Sequence, residues 1–153
     1  MNKILSIFKV SFFIEILIGS LAVCLPLVYD YNPQAAAGLL IVFVPSVITL
    51  IITLKLAIAT GKGTRLRDEL SIVGHIVNTI KLLLVLLVIG TTVYIFVTGI
   101  NTFTPDKEKL PVFIGSLVLF LIWSLASLYN FAAYVIIAKA NRKADVHALY
   151  DFW

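Results

Sequence analysis

Charge is what this chain has little of. Only 13% of its 153 residues are charged, while 61% are hydrophobic. A soluble domain is about a quarter charged and about half apolar. A chain this small cannot hide the excess in a soluble core, because small domains leave much of their surface exposed. Lipid must supply the missing cover. Cysteine is limited to Cys24, so no intrachain disulfide can form and chemistry that needs cysteine pairs is excluded. A lone cysteine in an apolar run reads as a small core residue. Histidine is limited to His75 and His147. A haem between helices wants axial ligands from facing helices, and His147 falls in the terminal segment. Neither a haem nor a metal site is expected, and no cofactor at all. The link holding Lys62 lacks the glycine run and hydroxyl of a phosphate loop. No nucleophile–base constellation stands out, and nothing points to nucleic acid.

What the chain does have is long apolar runs. About 20 apolar residues cross a bilayer as a helix, and four stretches qualify: residues 4–29, 37–59, 70–100 and 111–139. The third and fourth exceed a straight crossing and should tilt or extend into the interface. Lys3 and Lys9 followed by the run to Cys24 have some look of a processed leader. Yet Val23 stands where a small residue is wanted, Glu15 interrupts the run, and the run continues past the supposed cut. A retained helix is the better reading. Pro26 and Pro45 fall inside predicted spans and should kink them. The links are short: a turn at 30–33 with Asn-Pro as breaker, a basic link at 60–69, and a mixed-charge link at 101–110. The expected fold is an all-α integral membrane protein, one bundle of four transmembrane helices with a short C-terminal tail at 140–153.

Orientation follows from lysine and arginine placement. Lys3, Lys9, Lys62, Arg65, Arg67, Lys139, Arg142 and Lys143 all fall on one side if four spans alternate. The other side has Lys107 and Lys109 set against Asp106 and Glu108. Both termini are therefore expected in the cytoplasm, in a bacterial inner membrane. Lys62, Arg65 and Arg67 are topology determinants and candidates for contact with anionic lipid. Tyr29 and Tyr31 suit the outer interface. Tyr134, Tyr150, Phe152 and Trp153 suit the inner one, where rings with a polar edge sit at the headgroups.

Each span also carries a stripe of small or polar residues at helical spacing. The stripes are Ser11, Glu15, Gly19, Ala22 and Pro26; then Ser46, Thr49 and Thr53; then Ser71, Gly74, Asn78 and Lys81; and last Ser124, Ser127 and Asn130. In lipid, helices associate through such faces rather than through hydrophobicity. Glu15, Asn78, Lys81 and Asn130 come out at comparable depth. A carboxylate and an ammonium that both avoid lipid should meet. Glu15 is therefore expected to pair with Lys81, with Asn78 and Asn130 as hydrogen-bond neighbours. A later membrane entry for the third helix would let Lys81 snorkel to the surface instead.

Two readings of this layer stay open. It either fixes which helices pack together, or it makes Glu15 a proton or cation site. The leading expectation for function is non-catalytic: an accessory, assembly or immunity-type subunit that binds another membrane protein. The alternative is a small oligomeric transporter or channel using Glu15, with an enzyme third. Tyr150, Phe152 and Trp153 are candidate partner anchors, or else an interfacial membrane anchor.

Overall fold

The computed structural model describes residues 2–29, 33–66, 68–99 and 107–143, with side chains over 9–25, 44–66, 69–99 and 107–143. Among them are four helices and no strand: α1 (Asn2–Tyr29), α2 (Pro33–Gly61), α3 (Asp68–Thr98) and α4 (Leu110–Lys143). Three stretches, Val44–Gly61, Glu69–Thr98 and Leu110–Lys143, are long and apolar enough to cross a membrane.

The helix ends have local causes. Pro33 opens α2 rather than ending the turn before it, because its fixed φ and missing N–H suit the first helical position. Pro45 lies inside the same helix. At the other end, Gly63 has φ +68. Gly63 N donates to Thr60 O at 2.9 Å and Thr64 N to Ala59 O at 2.9 Å. These are the paired bonds of a Schellman cap, which uses glycine's freedom at positive φ. Gly99, at φ 103, closes α3 in a similar way, its N–H reaching Ile95 O at 3.0 Å. α4 runs to Lys143, four residues beyond the expected 139, and buries Ala140 and Asn141 in what was read as tail.

Pairings between side chains fix the directions. Along α1 and α4, Ser11 meets Asn130 while the Ala22 carbonyl meets Ser116, so these two are antiparallel. Along α3 and α4, Ser71 meets Tyr134 while Lys81 shares Glu15 with Ser127, again antiparallel. Along α2 and α4, Ser46 shares Glu15 with Ser127 while Thr60 meets Asn141, so these run parallel. The start of α1, the end of α2, the start of α3 and the end of α4 therefore share one end of the bundle. Around the bundle each helix packs on its sequence neighbours and α4 closes onto α1. α2 and α4 also touch across the middle, whereas α1 and α3 barely meet. The cross-section is a rhombus, with α1 and α3 at its far corners.

Two apolar clusters fill the interior. One, nearer the end where α1 begins, is built on Phe12, Ile52, Leu56, Ala133, Tyr134 and Ile137. The other holds Val23, Val85 and Trp123. Between them lies a polar layer. Large apolar side chains cover the outside, such as Leu87, Leu125 and Val97.

Candidate functional site: a buried polar layer

Glu15 sits 13 residues into α1, Lys81 13 residues into α3, and Asn130 13 residues before the end of α4. At about 1.5 Å per residue, each lies about 20 Å from the same end of the bundle. Glu15 is 0% and Lys81 2% exposed. Lys81 Nζ forms an ion pair with Glu15 Oε1. The same oxygen accepts from Ser46 Oγ at 3.0 Å and Ser127 Oγ at 2.8 Å. Oε2 accepts from Asn130 Nδ2 at 2.5 Å. Asn130 in turn accepts from Ser11 Oγ at 2.5 Å. The Lys81 ammonium also lies 5.4 Å from the centre of the Phe12 ring, within reach of a cation–π attraction. All four helices thus contribute to one carboxylate. Three of these four contacts converge on Oε1 and one falls on Oε2.

The expected layer differs from this at Asn78. Its Nδ2 donates to Gly74 O at 2.9 Å within its own helix, and its Oδ1 has no hydrogen-bond partner. It is buried beside the layer without bonding Glu15. Ser11, Ser46 and Ser127, read only as packing stripe, carry the bonds instead. Their neighbours at the same spacing do not: Thr49, Thr53 and Ser124 donate to carbonyls four residues back in their own helices, the local alternative open to any helical hydroxyl.

A second correction concerns Tyr134, expected at the membrane surface. It is wholly buried. Gly74 makes the room, since a Cβ there would meet Tyr134 Cε2 and Cζ at 2.9 Å. The Tyr134 hydroxyl donates to Ser71 O at 3.0 Å and lies 3.1 Å from His75 Nδ1. His75 Nε2 is 3.2 Å from Arg142 Nη2. Nearer the end of the bundle, Asn141 ties the α2–α3 link to α4. Its Nδ2 donates to Thr60 Oγ1 at 3.0 Å and to Thr64 O at 3.1 Å, and its Oδ1 accepts from Leu66 N at 3.2 Å. Sequence reasoning missed both ties. Their one advance signal was an uncharged amide, Asn141, placed just past an apolar run.

Lys62 and Arg65 are exposed at that end, as is Lys55 on the outer side of α2. Arg67, Tyr150, Phe152 and Trp153 lie outside the described residues. Among the described residues no three His, Cys, Asp or Glu side chains come together. An open groove of about 430 Å³ runs between α1 and α4, lined by Val10, Ser11, Ile14, Ala126 and Tyr129. Its floor at Ser11 is one hydrogen bond from Asn130 and two from Glu15.

No protein-family model matches the chain, and neither a curated protein nor a solved structure does. The functional reading rests on the chain's own chemistry.

Proposed function

We propose that this is a multi-pass membrane protein with both ends at the cytoplasmic face, acting without catalysis as a subunit that binds another membrane protein. The observation that carries this reading is the engagement of both Glu15 oxygens by side chains from the three other helices. A carboxylate answered by Lys81, Ser46, Ser127 and Asn130 has the makings of a pin between helices. A transport site needs a group that can let go of its partners and take up cargo. Supporting the orientation, Lys9, Lys62, Arg65, Lys139, Arg142 and Lys143 belong to one half of the bundle, whereas at the other end Glu108 offsets one of the two charges of Lys107 and Lys109. A bacterial inner membrane fits that bias. Supporting a partner, the exposed side of α3 includes Thr79, Gly90 and Thr91, residue types that lipid-buried helices use against other helices.

A photo-reactive side chain separates partner from lipid. Placed at Thr91 on α3, it should give a protein adduct in native membranes. Placed at Leu125 on α4, 66% exposed, it should give lipid adducts. Lipid adducts at both positions would count against a partner on α3. The transporter reading keeps one observation in its favour, the groove whose floor at Ser11 leads through Asn130 to Glu15. Ser11→Ala should then lower a proton-coupled flux in proteoliposomes. On the subunit reading there is no flux to lower.

A further inference from the structure

Asn78 and Lys81 share one face of α3 on adjacent turns, and both are buried, at 1% and 2% exposure. The bond from Asn78 Nδ2 to Gly74 O, at 2.9 Å, fixes how the amide is turned. A carbonyl only accepts, so the nitrogen faces Gly74 and the oxygen is turned away from it. The next buried residue along that face is Lys81. Among the described residues Asn78 Oδ1 has no hydrogen-bond partner. Lys81 Nζ has the Glu15 carboxylate as its ion-pair partner and no described hydrogen-bond partner besides it. An ammonium carries three N–H donors. An acceptor without a donor and donors without an acceptor thus stand side by side. Buried polar atoms left in that condition are costly, and folded proteins answer nearly all of them.

We infer that these two side chains hold a single water molecule, which accepts from Lys81 Nζ and donates to Asn78 Oδ1. The chemistry of the two atoms selects the occupant. It must accept from a cation and donate to an amide oxygen at once. A metal ion offers the ammonium nothing, and an anion has no proton for Asn78 and would meet the Glu15 carboxylate. The hydroxyls of the layer are already spent. Ser46 and Ser127 each give their one O–H to Glu15 Oε1, and Ser11 gives its own to Asn130 Oδ1. A water both accepts and donates, and a buried one makes about three bonds. Reach fits as well. Two hydrogen bonds through one water join atoms about 5 Å apart, close to the roughly 5–6 Å between Cβ atoms three residues apart on a helix. Two other buried polar atoms lack described partners, Trp123 Nε1 and Ser71 Oγ. Trp123 Nε1 only donates, and Ser71 lies two turns before Asn78, so neither completes such a bridge. The water makes Asn78 a member of the Glu15 layer at one remove, independently of what the chain binds.

Solid-state NMR of the full-length protein in lipid bilayers tests the bridge. With the lysine side-chain nitrogens labelled, the Lys81 signal is identified by its through-space contact with the Glu15 carboxyl carbon. Proton magnetisation should pass from water to Lys81 Nζ in the wild type. That transfer should be lost in Asn78→Leu, which keeps the size of the side chain and removes the acceptor. A wild-type Lys81 signal that receives nothing from water would overturn the proposal. So would one that receives as much in Asn78→Leu, since Asn78 then holds no water there. A second measurement, on the wild type alone, decides if Asn78→Leu does not fold. The distance from Asn78 Cγ to Lys81 Nζ is below about 4 Å for a direct bond and about 5 Å or more with a water between them. The longer distance is expected, and the shorter one would rule the water out.

Discussion

Glu15 and Lys81 are each costly to bury alone. Burying them together adds little net stability. What they add is a penalty on every arrangement that separates them. Removing one partner from a buried pair costs about 3–5 kcal/mol. Glu15→Gln should therefore lower folded yield sharply, because it leaves an ammonium unanswered. Lys81→Met should be milder, since a lone carboxyl can take up a proton and become neutral. The double variant should recover much of the loss, a coupling that a double-mutant cycle in detergent melts would measure. Equal yields for the wild type and both single variants would mean that the pair fixes nothing. Glu15, Lys81 and Asn130 could be picked out from sequence because a charge in lipid must be answered and helical spacing shows which face it uses. The serines could not. Spacing places a hydroxyl on a face, but Ser46 and Thr49 share that face, and only the packed neighbours decide which one reaches across and which bonds its own helix.

The four helices and their approximate limits follow from run length alone. Their ends do not. The stop of α2 depends on Gly63 taking positive φ, and the run of α4 past residue 139 carries Asn141 to the α2–α3 link. The inward turn of Tyr134 was hidden for a related reason. A tyrosine near a helix end fits a headgroup belt equally well, and the deciding residue, Gly74, lies 60 positions away on another helix. The contact between α3 and α4 should accordingly be intolerant of one methyl group. Gly74→Ala drives a carbon into the Tyr134 ring. Overpacking of this kind costs about 1–3 kcal/mol. In a Tyr134→Leu background the same change should cost much less, as thermal melts of the four combinations would show. If Gly74→Ala melts with the wild type, the ring is not seated against that glycine.

For the whole molecule, sidedness is the first thing to establish. In a Cys24→Ser background, a cysteine at Lys107 should react with an impermeant thiol reagent added outside cells, and one at Lys143 only after the membrane is opened. The reverse pattern would invert the proposed orientation. The rhombic cross-section also bears on how the chain is made. Its two far-corner helices touch little, yet the ion pair of Lys81 and Glu15 spans them. If the proposed spans insert in chain order, Glu15 enters the membrane long before that answer exists. Lys81 follows it by 81 − 15 = 66 residues, roughly 3–13 s at 5–20 residues per second. Throughout that interval the nascent chain holds an exposed acid in lipid, with Ser46 alone among its later ligands arriving early. An unfinished chain is therefore marked as unfinished, and the mark is erased only when the third helix arrives. One substitution should then act in opposite directions. In a chain stopped after residue 66, Glu15→Gln should lengthen the half-life in a pulse-chase, because it removes the unanswered acid. In the full-length chain it should shorten it, because there the same change strands the lysine that came to meet it.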